Sequence, residues 1–153
     1  MTRSPGLVGA LGAVALVLSA GTFAQPRRSV WDGVYTEAQA LRGQNTYIKA
    51  CGYCHRDDLS GGGSDAGAPA LVGPIFEHRW RGLPLSEMFL TIGTTMPQDA
   101  PDSMTPQAVI DVISFLLKTS GAPAGAGELP PELEKLKEIL VTEKPTASEP
   151  ECR

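Results

Sequence analysis

Cys51-Gly52-Tyr53-Cys54-His55 decides how the rest of the chain is read. Two thiols three positions apart, followed at once by an imidazole, have the spacing that attaches a c-type haem. The thiols add across the two vinyl groups, and the next residue then sets its imidazole under the iron. Two other chemistries draw on similar residues. A thiol–disulfide exchange pair would follow a β-strand in a βαβ unit. A structural zinc could use Cys51, Cys54, His55 and His78, although a second closely spaced ligand pair is lacking.

The flanking residues weigh among the three. Thr36-Glu37-Ala38-Gln39 fits a capping box, and the helix it starts carries Ala40, Gly43, Tyr47 and Cys51 near one face. A helix therefore leads into the motif, which disfavours the exchange pair. Beyond the motif, Gly61 to Pro69 is so rich in glycine that it can only be loop. Leu85, Met88, Phe89 and Ile92 then mark a second helix, with Pro84 suited to its first turn. A third is capped by Thr105, opened by Pro106, striped by Val109, Val112, Ile113 and Leu116, and closed by Lys118 and Gly121. No useful strand alternation appears. The expectation is a small all-α domain with long loops, whose weak core wants a further apolar body. A covalently held haem would supply one.

The ends of the chain carry different signals. Arg3, the apolar run Leu7 to Leu18 and Thr22-Phe23-Ala24 read as an export signal cleaved after Ala24. The run is short for a bilayer, which needs about 20 residues, so an uncleaved anchor is the lesser reading. A lipoprotein site is rejected because Thr22 stands where a lipidated Cys would be. The expected division is therefore 1–24 signal peptide, 25–124 domain and 125–153 an acidic, Pro-containing tail. Pro131 to Val141 of that tail could form one short, loosely docked helix. Without residues 1–24 the chain holds 12 basic and 17 acidic residues, net −5. That balance argues against nucleic-acid binding. Cys152 stands alone near the end and reads as a free thiol.

With haem assumed, a sixth iron ligand is sought among Met88, Met96, Met104 and His78. Met88 belongs to an apolar stripe, where Met is core filler. Met104 precedes a helix cap and reads as surface. His78 sits among Glu77, Arg79 and Arg81 and reads as solvated. Met96 lies in the non-periodic stretch Thr94-Thr95-Met96-Pro97, where a thioether has no packing purpose of its own. Methionine ligation would raise the potential and close the iron to substrates. Trp80, between Arg79 and Arg81, reads as a donor to the haem propionates. A haem enzyme or gas sensor with an exchangeable sixth site, and a thiol redox protein without haem, remain the rival classes.

Residues 30–123 resemble a class I cytochrome c. Gly43, Tyr47 and Cys51 are similar to that family's first-helix pattern, and Phe115 with its neighbours to its aromatic last helix. Pro69-Ala70-Leu71-Val72-Gly73 resembles the segment after the haem motif, and Met96-Pro97 the axial-ligand loop. The resemblance implies one covalent haem c on Cys51 and Cys54, His55 and Met96 as iron ligands, and a Pro69 carbonyl that accepts from His55. It implies an electron carrier rather than an enzyme. A narrower likeness, in Trp31-Asp32-Gly33-Val34-Tyr35-Thr36, Gln39-Ala40, Arg42-Gly43 and Thr94-Thr95-Met96-Pro97, is to cytochrome domains beside quinoprotein dehydrogenases. It implies a soluble periplasmic protein, with a dehydrogenase as donor and a cytochrome or terminal oxidase as acceptor. Stable membrane insertion is not expected if the signal is cleaved.

Overall fold

A computed structural model describes residues 27–63 and 67–146. The expected signal segment and Cys152 lie outside the described residues. The elements run β1 (Arg28–Ser29), α1 (Glu37–Ala50), α2 (Gly52–His55), α3 (Pro74–Trp80), α4 (Leu85–Thr95), α5 (Pro106–Thr119), α6 (Leu133–Lys137) and β2 (Ile139–Leu140). The all-α expectation holds. The only sheet among the described residues is the two-stranded parallel pairing of β1 with β2.

The caps read from the sequence form. Thr36 Oγ1 accepts from the Gln39 N–H at 3.1 Å, and Thr105 Oγ1 from the Ala108 N–H at 3.2 Å. α1 and α5 cross where Gly43 faces Asp111, and a Cβ at position 43 would lie 1.8 Å from the Asp111 carbonyl oxygen. The backbones touch there because position 43 has no side chain. Farther along the crossing, Tyr47 and Phe115 rings meet at 5.3 Å between centroids. Nine consecutive residues of α5, Val109 to Leu117, are buried, so this helix is the axis of the core.

Two elements depart from the sequence reading. α3 opens on Pro74 and buries Phe76 and Trp80, four positions apart, between exposed charged neighbours. The tail does not dock loosely. Leu129, Leu136 and Ile139 are buried, and only Leu133–Lys137 is helical, because Ile139 and Leu140 leave the helix to pair with β1. Nor does packing stop at residue 124. Gly125 N–H donates to the Tyr35 carbonyl at 2.6 Å, and the Gln39 side chain bonds both backbone groups of Leu129, at 2.7 and 2.8 Å. Among the described residues no helix is long and apolar enough to cross a membrane.

Candidate functional site

The chain reverses at the end of α1, and the motif forms the reversal. Cys51 caps α1, its N–H donating to the Tyr47 carbonyl at 2.8 Å. The single turn α2 follows, with the Cys54 and His55 N–H groups both on the Cys51 carbonyl, at 3.1 and 2.9 Å. Cys51 and Cys54 thus sit one turn apart on one side of a tight helical corner. Tyr47, fully buried, braces that corner by donating its hydroxyl to the Arg56 carbonyl at 2.7 Å. Burial holds its phenol well above the usual range.

His55 is 8 % exposed, and its Nδ1 lies 2.8 Å from the Pro69 carbonyl oxygen. A carbonyl only accepts, so Nδ1 carries the proton and Nε2 keeps its lone pair for a metal. The loop that brings Pro69 there is stitched to the motif. Gly61 N–H donates to the His55 carbonyl at 3.0 Å and Gly63 N–H to the Cys54 carbonyl at 2.8 Å. Cβ atoms at 61 and 63 would stand 2.6 Å from the Ala70 nitrogen and 2.4 Å from the Tyr53 carbonyl oxygen. The sequence marks these glycines as loop. Their close backbone approach is what sets the Pro69 carbonyl against the imidazole.

Opposite the motif, α4 ends in Met96. The helix takes in Thr94 and Thr95, two residues that the sequence reads as loop, and Met96 is its C-cap, with its N–H on the Ile92 carbonyl at 3.0 Å. Cys51, Cys54, His55, Pro69 and Met96 together line a cavity of about 430 Å³, whose apolar walls include Leu71, Ile92, Val112 and Leu116. Met88 is 1 % exposed and belongs to the core, and His78 is exposed. Met104, expected at the surface, packs partly buried against the core. It stands just before the α5 N-cap, where an apolar side chain folds back over the first turns of the helix.

Trp80 is not on this cavity. It lines a second one of about 270 Å³ with Phe76, Met88 and Val30, and its indole N–H is buried without a hydrogen-bond partner. The Arg79 guanidinium lies over its ring at 5.1 Å.

The geometry discriminates among the chemistries. Burial, with the neighbouring Cys54, pushes the Cys51 thiol up to about 11. An exchange catalyst needs a thiol pushed down. Among the described residues no three Cys, His, Asp or Glu side chains converge as a metal site, so the zinc reading loses its ligand set. A large apolar cavity with two thiols and a lone-paired imidazole on one wall and a thioether on another fits covalent haem. The model of the family described as cytochrome c oxidase, cbb3-type, subunit III matches residues 38–116, from the first turn of α1 into the last turn of α5. No curated protein and no solved structure matches the chain.

Proposed function

The chain belongs to the family of cytochrome c oxidase, cbb3-type, subunit III, whose cytochrome c domain carries covalent haem c and serves electron transfer, and from that premise we propose a single-haem periplasmic electron carrier with His55 and Met96 as axial ligands. One observation carries the ligand assignment: His55 and Met96 line one cavity, and they come from different elements. When bound, the haem supplies a single electron by cycling between Fe(II) and Fe(III).

The chain's own residues do the rest. Cys51 and Cys54 hold the group by thioether bonds. The Pro69 carbonyl keeps the His55 proton on Nδ1 and fixes the plane of the ring, which strengthens Nε2 as a donor. Met96 would supply the second protein ligand to the iron, which would then exchange electrons and bind no substrate, and a soft thioether sulfur would favour the reduced state. Leu71, Ile92, Val112 and Leu116 exclude water, which favours the less charged reduced iron. The export signal expected over residues 1–24 supports the periplasm, where c-type haem is attached. The Trp31-to-Thr36 likeness supports a quinoprotein-type dehydrogenase as donor.

Expression with a cytochrome c maturation system tests the reading. One haem should be found on the Cys51–Cys54 peptide by mass spectrometry, with a chain beginning at Gln25. The oxidised protein should show the weak sulfur-to-iron band at the red end of the spectrum, and Met96→Ala should abolish it and admit carbon monoxide to the reduced form. A periplasmic product with a Cys51–Cys54 disulfide and no haem would refute the reading. Ready carbon monoxide binding by the unmodified protein would favour a sensor or enzyme instead.

A further inference from the structure

α1 carries the motif at its C-terminal end and α4 carries Met96 at its C-terminal end, yet the two pack on α5 rather than on each other. What joins them is the tail. At the start of α1, the Gln39 amide donates to and accepts from the backbone of Leu129, and Arg42 forks onto Glu128 at 2.9 and 3.0 Å. From there α6 packs against α4 with Leu136 fully buried. The tail then bonds to the stretch that enters α4. Gly82 N–H donates to the Val141 carbonyl at 2.7 Å, Val141 N–H donates to the Leu83 carbonyl at 2.9 Å, and Pro84 pairs with Leu140 in an antiparallel bridge. The tail thus spans the ends of two helices that lie away from the cavity, while their opposite ends flank it.

We propose that residues 128–141 are a brace that fixes α4 relative to α1 and so positions Met96 against His55. The proposal rests on Met96 being the iron ligand. A thioether is a neutral, weak donor to ferric iron, so it is displaced by a strong anion whenever its segment swings out. How often that happens depends on the contacts that hold the segment, because parts of a fold open locally at free energies well below that of global unfolding. Besides the brace, α4 has only α5 as a main packing partner, and where Gly93 faces α5 a Cβ would find only the Val109 side chain, at 3.8 Å. Loosening the brace should therefore free Met96 without altering any residue of the cavity.

The full-length haem-loaded protein carrying Leu136→Ala with Val141→Pro tests this. The first change empties the α4 contact, and the second removes the N–H that reaches Leu83. Cyanide binding to the oxidised form should speed up about tenfold. On heating, the sulfur-to-iron band should vanish before the helical circular dichroism does. Ile110→Val, in α5 and outside the brace, should lower both transitions together. Gln39→Ala releases the brace at its α1 end and carries the same expectation if the double variant fails to assemble. A cyanide rate within about twofold of the unmodified protein, or a band lost only with the helices, would overturn the brace alone. An unmodified protein without the band would overturn the ligand assignment and the brace's role together.

Discussion

Along its contact with α5, α1 offers no side chain at position 43, and the Asp111 carbonyl fills the space a Cβ would take. Along its contact with the tail it offers two long polar side chains, Gln39 and Arg42, that reach out to Leu129 and Glu128. The first contact is steric and unforgiving. The second is made of hydrogen bonds whose partners are otherwise hydrated, so its net strength is smaller and depends on burial. The difference teaches that one helix can meet one neighbour with a backbone contact at its closest approach and another through long polar side chains, with separate sensitivities.

Gly43→Val should break the comparison at its stronger end. A branched side chain cannot enter a gap of 1.8 Å to a backbone oxygen, so a loss of about 3 kcal/mol or more is expected, read as a lower denaturant midpoint and a poor yield of haem-loaded protein. Gln39→Ala should cost less, about 2 kcal/mol, because it strands the buried N–H and carbonyl of Leu129. Chemical denaturation of the two variants side by side would show whether the tail contact is the weaker. If Gln39→Ala proved the more damaging, the ranking would reverse.

Tyr35 sharpens the α5 side. Fully buried, it donates its hydroxyl to the Ala122 carbonyl at 2.6 Å, tying the entry of α1 to the exit of α5. Tyr35→Phe should cost about 1 kcal/mol at neutral pH. Burial, aided by the Glu37 charge, pushes its phenol to about 12 from an ordinary 10.0. Between those values the unfolded chain releases the proton and the folded one keeps it. The stability from this group is therefore complete below pH 10.0 and is lost as pH rises through about 12. Stability curves over that interval should fall less steeply in Tyr35→Phe. The smallest effect belongs to Glu128→Ala. Asp111 and Glu128 together hold the Arg42 guanidinium protonated beyond its usual range, but only the pairing with Glu128 is exposed on both sides, and Arg42 keeps the buried Asp111 carboxylate when it is lost. A melting point lowered by a few degrees is expected, with the gap narrowing as salt is added.

The same contrast explains what could be read from the sequence. Gly43, Tyr47 and Cys51 lie four apart, so the crossing and the motif stand on one helix face and announce themselves locally. The caps at Thr36 and Thr105 are equally local. The tail contact is not, because Gln39 finds its partner 90 residues away. In the sequence it reads only as the second half of a capping box. Leu133, Leu136, Ile139 and Leu140 keep helical spacing, and nothing local tells that the last two turn into a strand to meet Arg28 and Ser29. α3 was hidden because Glu77, His78 and Arg79 fill the space between its two buried aromatics. Within the site, the cysteines and His55 are adjacent in sequence and legible by spacing, whereas the Pro69 carbonyl, 2.8 Å from His55 Nδ1, comes from a loop 14 residues on. Trp80 was assigned by its charged neighbours. Its surroundings are set instead by packing, edge-on against Phe76 at 6.3 Å.

The parallel pairing of β1 with β2 gives the molecule a direction of mechanical strength. Arg28 lies beside Ile139 and Ser29 beside Leu140, both strands running the same way. A pull on the chain ahead of Arg28 and on the chain beyond Leu140 drags these strands past each other in opposite senses. The bonds from Arg28 N–H to Glu138 and from Val30 N–H to Leu140 then share the load in shear instead of peeling one after the other. Tension applied through the chain on either side is thus shared by this short ribbon and the Val141 bonds to Gly82 and Leu83, away from the corner that carries Cys51, Cys54 and His55.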